Sequence, residues 1–169
     1  MITFVSTRFN NETFQENRDF VQRVLANNNP YACIYCSPHP MSPTIIQESM
    51  VFVVEMNNSK NEIEGIGLIQ NIPLNSVLNV YETRNFNRYV YKGNYRICRD
   101  ELLLYDSKIV DILDYILFKE KTHMKRGAGF TTIPLKLWNH SKCEGMDIPF
   151  CLRSFFIEKF SKKNNISLL

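Results

Sequence analysis

Glycine and proline are both scarce in this chain, at 6 and 7 of 169 residues, which excludes collagen-like and linker-like architectures. No apolar run reaches the ~18 residues that a membrane-spanning helix needs. The opening residues, Met1-Ile2-Thr3-Phe4-Val5-Ser6-Thr7-Arg8, lack a basic start followed by an apolar stretch, so no signal peptide is expected. Neither sign of charge dominates: 20 Lys and Arg oppose 17 Asp and Glu, and a net +3 does not make the whole molecule a polycation. There is a single tryptophan, Trp138, and neither an internal repeat nor a low-complexity segment.

What is present suits one domain with an ordinary core: 44% hydrophobic and 22% charged residues. Five cysteines, Cys33, Cys36, Cys98, Cys143 and Cys151, are an odd number without an export signal, so reduced thiols in a cytoplasmic protein are expected. Asparagine is abundant, with 18 residues clustered at Asn27-Asn28-Asn29 and Asn57-Asn58. With the many Lys and Ile, that composition points to an AT-rich genome.

Hydrophobic spacing and breakers predict the elements. Ile2 to Thr7 reads as a strand. Asn10 and Asn11 can cap a helix over 12–26, with Phe14, Val21, Val24 and Leu25 near helical spacing. Tyr31 to Cys36 is a second strand, and Pro38, Pro40 and Pro43 force a loop after it. Met50 to Met56 is apolar on both faces, as a central buried strand is. Glu62 to Ile69 is a further strand, on which Gly65 and Gly67 share a face with Ile63 and suggest close approach of another backbone, a side chain or a ligand. Residues 72–86 are irregular, and Arg88 to Ile97 is another strand. Ser107 can cap a helix with the stripe Ile109, Ile112, Leu113, Ile116 and Leu117. Lys119 to Pro134 is a loop with a short strand. Ile148, Leu152, Phe155, Phe156 and Phe160 mark a last amphipathic helix, with Lys162-Lys163-Asn164-Asn165 expected to fray. The order predicts an α+β domain or small β-barrel with C-terminal helices.

The stretch from Arg84 to Arg99 carries five positive charges and no acid, interleaved with Phe86, Tyr89, Tyr91 and Tyr95. On one continuous strand, Arg88, Lys92 and Arg96 share one face and the tyrosines the other. Cations suit phosphates and aromatic faces suit stacked bases. The bland alternative is tyrosines in the core and cations in solvent. The second basic stretch, Lys119 to Phe130, holds Lys119, Lys121, Lys125 and Arg126 against the acid Glu120 and ends in Gly127-Ala128-Gly129. Such a loop can offer backbone N–H groups to a phosphate. Its spacing is not that of a P-loop. It is similar in part to the pyrophosphate loop of GNAT-type acetyltransferases, with Met124 standing where that loop has Gln or Arg.

Cys33-x-x-Cys36-x-x-His39 has the look of half a zinc site, with His123, His140 or Cys143 as a fourth ligand. Alternation on a strand sends Cys33 and Cys36 to opposite faces, and buried thiols are the better reading. Cys36 with His39 or His123 lacks the third group that would orient a nucleophile pair. Glu55, ending a buried strand, is a lone candidate general base. No metal or cofactor is expected.

The order of segments resembles the YTH and EVE modules of the PUA-like superfamily over residues 1–135. The parts that carry it are Ile2 to Thr7, the helix at Asn11, Tyr35-Cys36-Ser37-Pro38, Met50 to Met56, Gly65-Ile66-Gly67-Leu68, Tyr91-Lys92-Gly93 and the basic stretch ending at Ile133-Pro134. The resemblance implies a PUA-like mixed β-barrel with flanking helices, residues 136–169 forming a helical extension packed on the same domain. It also implies an aromatic pocket for a flipped base: Tyr35 as first wall, Tyr89 or Tyr91 as second, Ser6, Thr7 and Asn11 at the rim, Ser37 beneath. YTH domains build their methyl-adenine pocket from tryptophans, and here Trp138 falls outside the matching region. The phrases Val53-Val54-Glu55-Met56-Asn57-Asn58, Glu64 to Leu68 and Lys125 to Phe130 also resemble an uncharacterised family of nucleocytoplasmic large DNA viruses, implying a protein made in a host cytoplasm.

The sequence thus favours a binding module over an enzyme: a viral RNA-binding protein holding a base or cap-like nucleotide of single-stranded RNA, with Arg84, Arg88, Lys92, Arg96, Lys121, Lys125 and Arg126 on phosphates and no membrane partner. The alternatives are an acetyl-CoA-dependent acyltransferase using Arg126 to Gly129, and a factor that docks a viral or host protein through Phe155, Phe156 and Phe160.

Overall fold

The computed structural model describes residues 3–119 and 121–164, with side chains through 161. Ile2, Glu120 and Asn165, each part of an expectation above, lie outside the described residues. Seven strands are β1 (Thr3–Phe9), β2 (Cys33–Ser37), β3 (Met50–Asn57), β4 (Glu62–Gln70), β5 (Tyr89–Gly93), β6 (Tyr95–Cys98) and β7 (Thr131–Thr132). Four helices are α1 (Asn11–Ala26), α2 (Arg99–Phe118), α3 (Leu135–Trp138) and α4 (Ile148–Asn164). The fold is α+β. A five-stranded mixed sheet runs β6-β4-β3-β1-β7, and β2 pairs with β5 in a separate two-stranded sheet. Among the described strands no ladder joins the two sheets into a closed barrel.

β1 and β3 are parallel, with Val5 beside Val53 and Thr7 beside Glu55. A parallel pair needs a crossover, which α1 and β2 provide. The start of α1 is set by a reciprocal cap: Thr13 N–H donates to Asn10 Oδ1 at 2.8 Å, and Asn10 N–H donates to Thr13 Oγ1 at 3.0 Å.

β3 is apolar on both faces because both are covered. Phe52, Val54 and Met56 join Ile66, Leu68 and Ile97 in a cluster with α2 and α4, including Ile112, Leu113, Leu152 and Phe156. Val51 and Val53 join Cys33, Tyr35, Tyr91 and Val21 on the opposite face. Helices α3 and α4 thus close the same core as the sheet, and Phe156, edge-on to Phe52 at 4.9 Å, is wholly buried.

Three expectations are corrected. First, Ile63 does not share a face with Gly65. A register shift pairs Met56 with Ile63 but Glu55 with Gly65, leaving Glu64 as the extra residue of a bulge. Ile63 therefore joins the helical side, while Gly65 and Gly67 face the small sheet. Second, 88–97 is not one strand. The chain leaves the small sheet at Gly93 and enters the large one at Tyr95, so the strand alternation assumed for the basic residues is broken at Asn94. Third, helical structure begins at Arg99, before Ser107. Asp106 interrupts it with extended backbone (φ −160°, ψ 102°), and its Oδ1 accepts Lys108 N–H at 2.9 Å. Asp106 caps the second segment, one residue before the expected Ser107.

Candidate functional site

A cavity of about 310 Å³ opens at the carboxyl ends of the parallel strands β1 and β3, beside the end of β2 and the start of α1. Crevices at the carboxyl ends of parallel strands are preferred binding positions because loops there are free to carry function. Its apolar walls are Phe9, Cys36, Pro38, Tyr81 and Phe86; Phe9 and Tyr81 are largely buried and reach it by their edges, while Phe86 is exposed. Tyr81 and Phe86 meet edge to face, 6.2 Å between centroids. Tyr81 is held by its hydroxyl, which accepts from Asn17 Nδ2 at 3.0 Å, while the same amide donates to Ile34 O at 2.7 Å. Polar groups come from Thr7, Arg8, Asn10, Thr13 and Asn58, and the remaining wall is the loop Gly127-Ala128-Gly129.

That loop is tied down by Arg8. Its guanidinium donates from Nε to Met124 O at 2.6 Å, from Nη1 to Gly129 O at 3.1 Å and from Nη2 to Thr131 Oγ1 at 2.9 Å. Asn58 Nδ2 donates to Lys125 O at 2.9 Å, which orients the amide and leaves Asn58 Oδ1 buried without a partner. Gly129 has φ +70°, and a Cβ there would lie 2.4 Å from Ser37 Oγ, so glycine is required for the loop to pass this close.

Of the residues the resemblance placed at a base pocket, Thr7 lines this cavity. Ser6 is buried with its hydroxyl on Thr131 O, and Ser37 donates to His39 O at 2.6 Å. Asn11 accepts from Asn57 Nδ2 at 3.0 Å on the far side of the helix cap. Tyr35 and Tyr91 are 1% exposed and face inward, Tyr35 donating to Glu55 Oε1 at 2.6 Å and Tyr91 accepting from Met41 N–H at 3.0 Å. Neither offers a ring face to a base. Tyr89 pairs with Ser37 at the strand end, half-buried beneath Arg88.

The cations separate into two groups. Arg96 is no surface residue: it is bidentate to Glu55, Nε to Oε1 at 2.7 Å and Nη2 to Oε2 at 2.6 Å. Arg99 is paired with Asp114 at 2.8 Å. Lys92 hydrogen-bonds Tyr31 and sits over its ring, and Lys125 donates to Asn61 Oδ1 at 2.6 Å. Arg84, Arg88, Lys121 and Arg126 are exposed. Arg84 lies two residues before Phe86 in a 3₁₀ turn (Arg84–Asn87) and borders a separate hollow with Glu16 and Asp19, while Arg126 directly precedes Gly127.

The other chemistry is quiet. Burial would raise the Glu55 carboxyl, but Arg96 and the hydrogen bonds from Arg96 and Tyr35 outweigh it and hold it below its usual value. With Tyr35 and Arg96 filling its oxygens, Glu55 is a structural anion and no general base. Burial pushes both Cys33 and Cys36 up to about 12, so neither is a thiolate nucleophile at neutral pH. Among the described residues no three His, Cys, Asp or Glu side chains are arranged around a metal position. The glycine loop runs into strand β7, so the helix that follows a GNAT pyrophosphate loop is replaced here by an edge strand. Among the described residues no helix is long and apolar enough to cross a membrane.

Sequence reasoning missed Arg8, Phe9, Asn58 and Tyr81, and it put Phe86 in the basic aromatic stretch without placing it at the pocket. The signal for the first three was positional, since each lies at or just past the carboxyl end of a strand of the parallel pair. Tyr81 and Phe86 come from an irregular segment whose course only tertiary contacts determine. Comparison of the chain with family models, curated proteins and solved structures gave no match.

Proposed function

We propose that this protein is an RNA-binding module of PUA-like type that takes a single base of a flexible strand into the cavity between β1, α1 and the 127–129 loop. The observation that carries the reading is the lining itself: three aromatic rings, an unpartnered Asn58 acceptor and, among the described residues, no carboxylate, in a space near the lower end of the range for small-ligand pockets. Rings stack on any base, and a buried acceptor selects one that presents an N–H donor. Arg84, Arg88 and Arg126, exposed in segments next to the lining residues Phe86 and Gly127, are the cations assigned to the flanking phosphates in this reading. The PUA-like barrel and the viral, cytoplasmic setting belong to the same reading, supported by the segment order of residues 1–135.

The test is binding of short single-stranded RNAs and DNAs, capped and uncapped, plain and base-methylated, at two salt concentrations. A base or end preference that survives raised salt is expected. Replacing Arg84, Arg88 and Arg126 by Ala should flatten the salt slope by roughly one unit per lost phosphate contact. Binding that vanishes equally for all ligands with salt would reduce the surface to nonspecific attraction.

A further inference from the structure

Among the described residues, Arg8 is the one charged side chain lining the cavity. Its three acceptors, Met124 O, Gly129 O and Thr131 Oγ1, are all neutral. A guanidinium has five N–H donors, so two remain beyond those three bonds. Among the described residues no carboxylate pairs with Arg8 or borders the cavity. Burial lowers the Arg8 pKa, whereas Glu55 more than offsets the burial of Arg96. The protein thus keeps two partly sequestered arginines by opposite means. One has its counter-ion built in, and the other turns an uncompensated positive charge toward an open space. A buried cation without an anion is costly, and an arriving anion recovers that cost. The glycine loop beside it brings main chain rather than side chains to the same wall, Gly127 passing 3.9 Å from the guanidinium as measured from a would-be Cβ.

From this we propose that the occupant of the cavity is a nucleoside monophosphate unit, its base between Phe9, Tyr81 and Phe86 and its phosphomonoester against Arg8. The assignment rests on the base-pocket reading above and narrows it: the site takes a phosphorylated terminus, or a free mononucleotide, in preference to an unphosphorylated nucleoside. A phosphomonoester carries close to two charges at neutral pH, against one for an internal phosphodiester, and so gains more from an unpaired guanidinium.

The experiment is titration of the full chain, by calorimetry and by melting temperature, with the four nucleosides, their monophosphates, inorganic phosphate, and matched short RNAs with and without a terminal phosphate. For the preferred base, the monophosphate should bind at least about tenfold tighter than the nucleoside. A phosphorylated RNA that outcompetes the mononucleotide identifies a strand end as the source; the reverse order identifies the free nucleotide. Equal affinity of nucleoside and monophosphate overturns the phosphate assignment and leaves the base pocket standing. Inorganic phosphate binding as tightly as the nucleotide overturns the assignment to a nucleotide, and no binding of nucleoside, nucleotide or RNA overturns both readings. Arg8→Gln should bring the monophosphate-to-nucleoside ratio close to one, and an unchanged ratio removes Arg8 from the site. The nucleotide comparison is made on the wild-type chain, so it decides even where loss of the Arg8 clamp unfolds the variant.

Discussion

Arg96 grips Glu55 with two hydrogen bonds, of 2.7 and 2.6 Å, in a gap between the two sheets that Gly65 keeps open. A Cβ on Gly65 would lie 2.8 Å from Arg96 Nη2. The pair links β3 to β6, and Tyr35 brings in β2, so three strands meet on one carboxylate.

Removing one partner leaves the other charge buried and unpaired. Glu55→Gln should therefore cost about 3–5 kcal/mol, read from urea unfolding. Adding Arg96→Met to that variant should recover part of the loss, because the orphaned cation goes with it. A double variant no more stable than Glu55→Gln would show that the guanidinium is held mainly by other contacts, such as Glu64 O at 3.3 Å.

The same carboxyl sets an acid limit. Its folded pKa lies below the ordinary value of 4.5, because Arg96 and the hydrogen bonds outweigh burial. A group depressed in the folded state contributes fully above its unfolded pKa and loses that contribution as pH falls through the folded value. Wild-type stability should thus decline as pH drops below 4.5, and Glu55→Gln should decline less steeply over that range. Parallel slopes for the two proteins would assign the acid sensitivity to other carboxylates.

Glycines at the sheet contact should rank by what their Cβ would strike. On Gly93 it would lie 2.0 Å from Leu68 O, a backbone atom of β4, and on Gly67 it would lie 2.2 Å from the Tyr35 hydroxyl. Side chains yield more readily than main chain, so Gly93→Ala should destabilise more than Gly67→Ala, both beyond about 1–3 kcal/mol of overpacking strain. Thermal unfolding of the two variants gives the ranking directly, and the reverse order would mean that β5 shifts more easily than the Tyr35 ring.

Two aromatic substitutions separate binding from folding. Phe86, 38% exposed at the cavity mouth, should lose about 1–3 kcal/mol of RNA affinity on change to Ala while the fold survives. Tyr35→Phe should leave affinity unchanged and cost about 1.5–3 kcal/mol of stability, since it removes a buried bond to a carboxylate. An affinity loss for Tyr35→Phe with stability intact would move the pocket to the interior side of β2.

Much of the framework was legible in the residues. Met50 to Asn57 reads as a strand buried on both faces because apolar side chains at consecutive positions need cover on both sides. Asn10 announces a helix because its side chain caps one wherever it stands before a helical stripe. The crowding at Gly65 and Gly67 was legible too: the Tyr35 and Cys33 side chains fill it at Gly67, and the Ile97 carbonyl together with the Arg96 guanidinium at Gly65.

Local pattern determined the elements, the buried central strand and the places where two segments must come close, since propensity, capping and steric room act over a few residues. Tertiary structure alone decided which charges are spent and which remain. Arg96 and Arg8 are the same residue type, each on a strand with an aromatic residue beside it. One meets Glu55 across a gap between sheets; the other meets only neutral acceptors at the edge of a cavity. Whether a guanidinium has a carboxylate within reach depends on strands 41 residues apart in the chain, and no spacing in the sequence carries that information.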